Sequence, residues 1–116
     1  MAEVLLGIGT RKGLFLARRQ SGSWRFDGPH FPSQAVYALA IDTRRGTPRL
    51  LVGADSAHFG PSVFHSDDLG ASWREPRQPA IRFPSGTGAS LERVWQLQPS
   101  GDASPEVVYA GTEPAA

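Results

Sequence analysis

An internal repeat restricts the fold of this chain more than any other feature of its sequence. Residues 36–55 align without a gap with residues 94–113, at an offset of 58 positions. The matched pairs include Val36 with Val94, Tyr37 with Trp95, Leu39 with Leu97, and Gly53 with Gly111. Each copy has the pattern of a strand, a polar turn rich in Gly, Pro or Ser, and a second strand that ends at a glycine.

Two further overlays support a tandem unit. Residues 14–24 align with residues 63–73 at an offset of 49, which matches Phe15 with Phe64 and Trp24 with Trp73. A short third match relates residues 30–33 to residues 82–85. Because the overlays follow one another in the same order, they predict a repeat of about 50 to 58 residues built from short strands.

The composition favours many short elements over a few long ones. Glycine and proline supply 13 and 10 of the 116 residues, and no segment shows a sustained helical period beyond one possible turn at 89–96. We therefore predict an all-β chain. The expected strands are 4–9, 13–17, 24–27, 36–41, 50–54, 62–65, one starting at Trp73, 94–98 and 107–112.

Four short strands per unit at this period are typical of a β-propeller blade. The sequence thus predicts a partial β-propeller of about two blades of four-stranded antiparallel sheet, as one incomplete domain over residues 1–116. The strands of a first blade are expected at about 4–28, a second blade at about 36–76, and the start of a third at about 94–116. Free strands at both ends would expose backbone groups and apolar faces, so we expect the chain to be marginally stable or to self-associate.

Charge and composition exclude several function classes. The net charge is +1, without the dense basic face that nucleic-acid binding requires. Cysteine is absent, which excludes a disulfide framework, a thiolate nucleophile and a cysteine-based zinc site. No apolar run is long enough for a membrane span, and the N-terminal residues lack a basic signal region. We expect a cytoplasmic protein without a metal or other cofactor.

Residues 66–73 have the spacing S-x-D-x-G-x-x-W, formed by Ser66, Asp68, Gly70 and Trp73. The carboxylate of Asp68 can accept backbone N–H groups within a tight turn. Gly70 can adopt a positive φ, and Trp73 can bury its ring between sheets while its indole N–H finds an acceptor. The matching stretch 21–24 keeps only the tryptophan, so its turn is expected without the aspartate network.

This motif is identified as the Asp-box of the BNR repeat family, and the chain resembles sialidase-like β-propeller proteins, including bacterial proteins labelled glycosyl hydrolase or exo-α-sialidase. The resemblance implies the N-terminal part of a propeller, completed by further blades of the same protein, and a glycoside hydrolase activity. It also implies that the Asp-box is structural. Sialidases carry an Arg-Ile-Pro motif near their start; the nearest match here, Arg82-Phe83-Pro84, comes after the Asp-box.

Two predicted loops are longer than their counterparts in the first unit, and a propeller would place both on one face. They cover residues 55–61 and 75–93. Asp55 and Glu92 are the candidate acid and base for glycoside hydrolysis. The candidate ligand-binding residues are Arg11, His58, Arg82, Arg93 and Glu113, with Lys12 and His30 on the same face.

The ligand implied by these residues is a carbohydrate or another small anionic molecule. Two alternatives stay open. Glu92 and Arg93 could form a local ion pair or hold the loop in place, while Asp55 and Glu113 cap the turns after the second strand of each copy. The protein could also be a non-catalytic propeller scaffold that binds glycans or proteins.

Overall fold

Eight β-strands form three antiparallel sheets in the computed structural model, which describes residues 3–58 and 60–115. The strands are β1 (Val4–Thr10), β2 (Gly13–Gln20), β3 (Ser23–His30), β4 (Ala38–Asp42), β5 (Arg49–Ser56), β6 (Gly60–Ser66), β7 (Arg93–Pro99) and β8 (Val108–Glu113). The first sheet has the order β1-β2-β3, the second β4-β5-β6 and the third β7-β8. None of the three sheets closes on itself.

The prediction of an all-β chain is confirmed, since the described residues contain strands and no helix. Every predicted strand except the one at Trp73 is present, shifted or extended by a few residues. The two-residue turn at Ser21 and Gly22 has positive φ at both positions, as a tight hairpin between right-twisted strands requires. The described part of the chain has no helix of the length and apolar character needed to cross a lipid bilayer.

The prediction of a strand from Trp73, and with it a four-stranded second sheet, is wrong. Only one isolated bridge forms there, between Arg74 and His65 on β6. Prolines occupy positions 76, 79 and 84. Because a proline has no N–H to give to a strand ladder, the three prolines disfavour a fourth strand after Arg74.

The predicted loop at 55–61 is also wrong in its extent. Asp55 pairs with Pro61 and Ser56 with Gly60, so that β5 continues to Ser56 and β6 already begins at Gly60. The predicted loop at 75–93 agrees with the structure, because residues 75–92 contain no strand. This segment contributes Ile81 and Leu91 to the apolar layer between the second and third sheets.

Two apolar layers hold the three sheets in a row. Alternate residues of β5 point to opposite sides: Leu50 and Val52 are fully buried in the layer towards the first sheet, and Leu51 lies in the layer towards the third. The first layer comprises Leu14, Leu16, Val36, Leu50, Val52 and Ala54, and the second Ala38, Leu51, Val94 and Leu97. Period-two alternation therefore lets one sheet face two neighbours.

Glycines bring the sheets into close contact at equivalent points. A Cβ at Gly9 would lie 2.6 Å from the carbonyl oxygen of Val36, and one at Gly53 would lie 3.2 Å from the Cβ of Val94. Since Val36 and Val94 are matched in the repeat, the chain uses the same packing twice. The Gly7-x-Gly9 pair thus serves sheet packing in this fold.

Candidate functional site

A cleft of about 200 Å³ opens at the seam between the second and third sheets. It brings together the two carboxylates that the sequence predicts as acid and base, Asp55 near the end of β5 and Glu92 immediately before β7. The lining residues are Ala35, Tyr37, Gly53, Ala54, Asp55, Pro61, Ser62, Glu92, Arg93 and Val94. Residues from two repeat units therefore form the cleft.

Backbone hydrogen bonds hold both carboxylate-bearing residues in place. The N–H of Asp55 donates to the side-chain oxygen of Gln34 at 2.9 Å. The N–H of Glu92 donates to the carbonyl oxygen of Glu113 at 2.8 Å, which continues the pairing of β7 with β8 by one residue. Both side chains are exposed, and neither forms an ion pair within residues 3–58 and 60–115.

Arg93 is held by a carboxylate and by two aromatic rings. Its Nη1 lies 3.0 Å from Oε2 of Glu113, directly across the β7–β8 ladder. Its guanidinium carbon lies 5.6 Å from the centre of the Tyr37 ring and 5.3 Å from that of Trp95, within the range of cation–π attraction. The alternative prediction of a pair between Glu92 and Arg93 is wrong, because Glu113 is the partner of Arg93.

The cleft consequently carries an excess of negative charge. The charges of Arg93 and Glu113 compensate each other at 3.0 Å. Asp55 and Glu92 remain without a cationic partner among the described residues. Such a cleft attracts neutral hydrogen-bond donors and cations in preference to anions.

The other predicted ligand-binding residues do not line this cleft. Arg11 and Lys12 are exposed in the turn between β1 and β2, and Arg82 is exposed in the segment 75–92. His58 lies in the connection between β5 and β6, where its backbone N–H donates to Oγ of Ser56 at 2.9 Å. The structure thus unites Asp55, Glu92 and Arg93 with Glu113, and leaves Arg11, His58 and Arg82 elsewhere.

His30 has a structural contact that its candidate role did not include. The indole N–H of Trp73 donates to Nδ1 of His30 at 3.2 Å, so the ring proton of a neutral His30 sits on Nε2. That nitrogen lies 3.0 Å from Oδ2 of Asp27. Trp73 also packs edge-on against Phe31, and these contacts join the end of the first sheet to the segment after β6.

The turn at residues 66–73 forms the hydrogen bonds that its sequence predicts. Asp68 accepts the backbone N–H of Ser72 at 2.9 Å and the hydroxyl of Ser66 at 2.7 Å. Hydrogen bonds from Ser72 and Ser66 lower the pKa of Asp68 to about 2. Gly70 has a φ of +89°, and a Cβ there would lie 2.6 Å from Leu16 of the first sheet.

The turn at residues 66–73 lies at the far end of β6 from the cleft. Pro61 lines the cleft and Ser66 ends the strand, which separates them by roughly 17 Å at about 3.4 Å per residue. The motif therefore stabilises the fold and does not contribute side chains to the cleft. Across residues 3–58 and 60–115, no three side chains of the types His, Asp and Glu converge as a metal-binding group.

Tyr37 is a cleft residue that reasoning from sequence did not select. Its ring centre lies 4.9 Å from that of Trp95, and both rings are near the Arg93 guanidinium. The signal was present in the repeat, because the overlay matches Tyr37 with Trp95.

No model of a known protein family matches this chain, and no curated protein is significantly similar to it.

Proposed function

We propose that this chain is part of a sialidase-like, BNR/Asp-box β-propeller protein. Three features support the proposal: consecutive antiparallel sheets, the same glycine–valine contact between successive sheets, and a formed Asp-box turn. In a propeller, successive sheets pack face to face around an axis. The first, second and third sheets would then belong to three successive blades, and the protein would act in the cytoplasm.

The biochemical function that we propose is carbohydrate binding in the cleft at Asp55 and Glu92. The observation that carries this proposal is that two carboxylates from neighbouring sheets, neither of them in an ion pair among the described residues, line one cleft beside the aromatic ring of Tyr37. Carboxylates accept hydrogen bonds from sugar hydroxyls, and charge-assisted hydrogen bonds are the stronger ones. A volume of about 200 Å³ is below the roughly 300–1,000 Å³ of drug-sized pockets, which suits a single sugar residue.

The charge of the cleft narrows the class of sugar. The Arg93 guanidinium is already paired with Glu113, so the described cleft has no unpaired cation for a sugar carboxylate. Asp55 and Glu92 would repel an acidic sugar and attract an amino sugar. We therefore expect neutral or basic sugars to bind in preference to sialic acid.

Hydrolysis of a glycosidic bond is a second candidate function. It is favoured by the placement of two carboxylates on different strands at one cleft, since glycosidases use one such group as an acid and the other as a base or nucleophile. The exposure of Asp55 and Glu92 favours binding without catalysis, because charged groups stabilise a transition state most strongly in a site from which water is excluded. Binding is for this reason the first proposal and hydrolysis the second.

Titration of the chain with neutral, amino and sialylated oligosaccharides, followed by NMR or calorimetry, tests both proposals. We expect Asp55→Asn and Glu92→Gln each to weaken binding by at least about tenfold, the value of one charge-assisted hydrogen bond. Asp102→Asn and Glu106→Gln, at exposed positions between β7 and β8, are the matched controls and should bind as the wild type does.

The outcomes separate the two functions. If no oligosaccharide binds, or if both cleft variants bind as well as the controls, the carbohydrate proposal is wrong. If binding is lost in the cleft variants but no fluorogenic glycoside is cleaved, hydrolysis is excluded and binding stands. If cleavage occurs and Glu92→Gln abolishes it while folding is unchanged, the second candidate is supported.

A further inference from the structure

The outward side of the first sheet is an apolar face that no other part of the described chain covers. Gly7, Gly9 and Leu16 point towards the second sheet, so the alternate residues of the same strands point away from it. Leu6 and Phe26 belong to this outward set and are 46% and 67% exposed. The apolar residues of this face are Val4, Leu6, Ile8, Phe15, Ala17, Trp24 and Phe26, and Arg19 lies at its edge opposite Val4 and Trp24.

This outward face repeats the residues of an interface that the chain already makes. The overlay matches Phe15 and Trp24 with Phe64 and Trp73, which pack into the layer between the first and second sheets. Gly9 of β1 is equivalent to Gly53 of β5, because each approaches a matched valine. Leu6 and Ile8, three and one positions before Gly9, therefore correspond to Leu50 and Val52, which lie in that layer. The outward face of the first sheet therefore has the composition of a surface built to receive another sheet.

The outward side of the third sheet is the counterpart surface. Its residues are Gln96, Gln98, Tyr109 and Gly111, which the overlay matches with Ala38, Ala40, Leu51 and Gly53. In the second sheet those matched residues receive the third sheet, and a Cβ at Gly53 would press on Val94. A Cβ at Gly111 would meet only Gln96, at 3.7 Å, and Tyr109 is 64% exposed. Val94 occupies the space beside Gly53, whereas no other sheet of the described chain occupies the equivalent space beside Gly111.

We propose that these two faces bind each other between copies of this chain, so that the first sheet of one copy packs on the third sheet of the next. The occupant is a second copy, because the two outward faces correspond to the two sides of a contact that the chain makes twice within itself. In the propeller proposed above, this second copy would take the position of a neighbouring blade. The contact is heterologous, since different surfaces meet, and it produces a ring or an open chain of copies. The proposal also makes the predicted self-association specific, because it names the two faces that meet and gives the contact a head-to-tail direction.

Sedimentation velocity of the full chain, from low micromolar to several hundred micromolar, tests the proposal. The wild type should increase in mass with concentration. Phe26→Lys and Tyr109→Lys each change one highly exposed residue on one of the two faces, and each should raise the dissociation constant by at least about tenfold. Gln20→Lys adds the same charge beside the β2–β3 turn and should associate like the wild type.

A mixture of the two variants gives the decisive result. Each variant keeps one intact face, so an equimolar mixture of Phe26→Lys and Tyr109→Lys should form a one-to-one dimer that does not grow further. The proposal is overturned if the wild type stays monomeric throughout. It is also overturned if Tyr109→Lys alone associates as the wild type does, because the first sheet would then pair with itself.

Hydrogen exchange of the wild type keeps the test decisive if a variant fails to fold, which circular dichroism would show. At high protein concentration, added protection is expected in both β1 and β8. Protection confined to one of these strands, or absent from both, would contradict contact between the two outward faces.

Discussion

Two serines on β6 show how much the partner of a single hydroxyl matters. Ser62 and Ser66 are both 1% exposed, and both lie on the side of β6 that faces the first sheet. The Ser66 hydroxyl donates to Asp68 at 2.7 Å and accepts the N–H of Gly70 at 2.8 Å. The Ser62 hydroxyl has no hydrogen-bond partner among the described residues. A buried polar group without a partner costs free energy of folding, so the two serines should contribute in opposite directions.

Replacement of each serine by alanine measures this difference. We expect Ser62→Ala to raise the free energy of unfolding by up to about 1 kcal/mol, because it removes a desolvated hydroxyl. Ser66→Ala should lower it by about 1–3 kcal/mol, because Gly70 and Asp68 lose a buried partner. Urea unfolding followed by tryptophan fluorescence gives both values. A loss of more than about 1 kcal/mol for Ser62→Ala would contradict an unsatisfied hydroxyl.

At the scale of elements, the strands were predictable where local pattern and repeat agree. Trp24 and Trp73 are matched in the overlay, yet Trp24 lies in the eight-residue strand β3 and Trp73 begins no strand. The difference lies in the residues that come after each tryptophan. Arg25 and Phe26 continue an alternating segment, whereas Pro76 comes three residues after Trp73. The overlay described the matched positions correctly, but the pairing of a strand depends on the donors of the residues beyond them.

The glycine contacts between sheets are a second property of elements that a sequence pattern does not show. Gly9 and Gly111 both lie in strands, but only Gly9 has a neighbouring sheet at its Cβ position within the described chain. We expect Gly9→Ala to destabilise the fold by about 1–3 kcal/mol, because the new methyl group would lie 2.6 Å from the backbone carbonyl of Val36.

Gly111→Ala is the matched control for Gly9→Ala. Its new methyl group meets only open space beyond Gln96, so its free energy of unfolding should stay within about 1 kcal/mol of the wild type. Both variants are to be measured by urea unfolding at low micromolar concentration, where association contributes least. If both variants lose the same free energy of unfolding, the close approach of β1 to Val36 does not explain the effect of Gly9→Ala.

At the scale of the whole molecule, the site was predictable only in part. Asp55 and Glu92 share a cleft, as the common face of their predicted loops indicated. The sequence also predicts Arg11 and Arg82 on that face, but they lie outside the cleft lining. Residues of two loops on the same face can still lie far from each other. That distance depends on how the sheets pack, which local patterns do not encode.

The contact of Arg44 with the third sheet was likewise absent from any sequence pattern. Arg44 lies in the turn after β4, and its Nη1 donates to the carbonyl oxygens of Ser100, Ser104 and Val107 at 3.0–3.1 Å. Backbone carbonyls are present at every position, so their use as acceptors leaves no mark in the sequence. This one side chain therefore joins the second sheet to the β7–β8 connection.

Asp42 is the anion that holds Arg44 in that position. Its two carboxylate oxygens accept from Nε and Nη2 of Arg44, both at 2.8 Å, and both side chains are more than nine-tenths buried. The hydrogen bond from Arg44 lowers the pKa of Asp42 from 3.8 to about 2, against the opposing effect of burial. Because the folded-state pKa lies below the usual value, the ionised carboxylate stabilises the fold above about pH 4, and this contribution disappears as the pH falls towards 2.

The acid dependence of Asp42→Asn tests this link between the second and third sheets. At neutral pH we expect the variant to have a Tm lower by roughly 5–10 °C, because Arg44 loses its buried anionic partner. Between pH 4 and pH 2 the wild-type Tm should fall more steeply than that of the variant, so that the gap closes. Asp55→Asn, at an exposed position with no ion pair among the described residues, is the control and should keep nearly the wild-type Tm at neutral pH. A gap between wild type and Asp42→Asn that stays constant from neutral pH to pH 2 would show that the charge of Asp42 does not hold the sheets together.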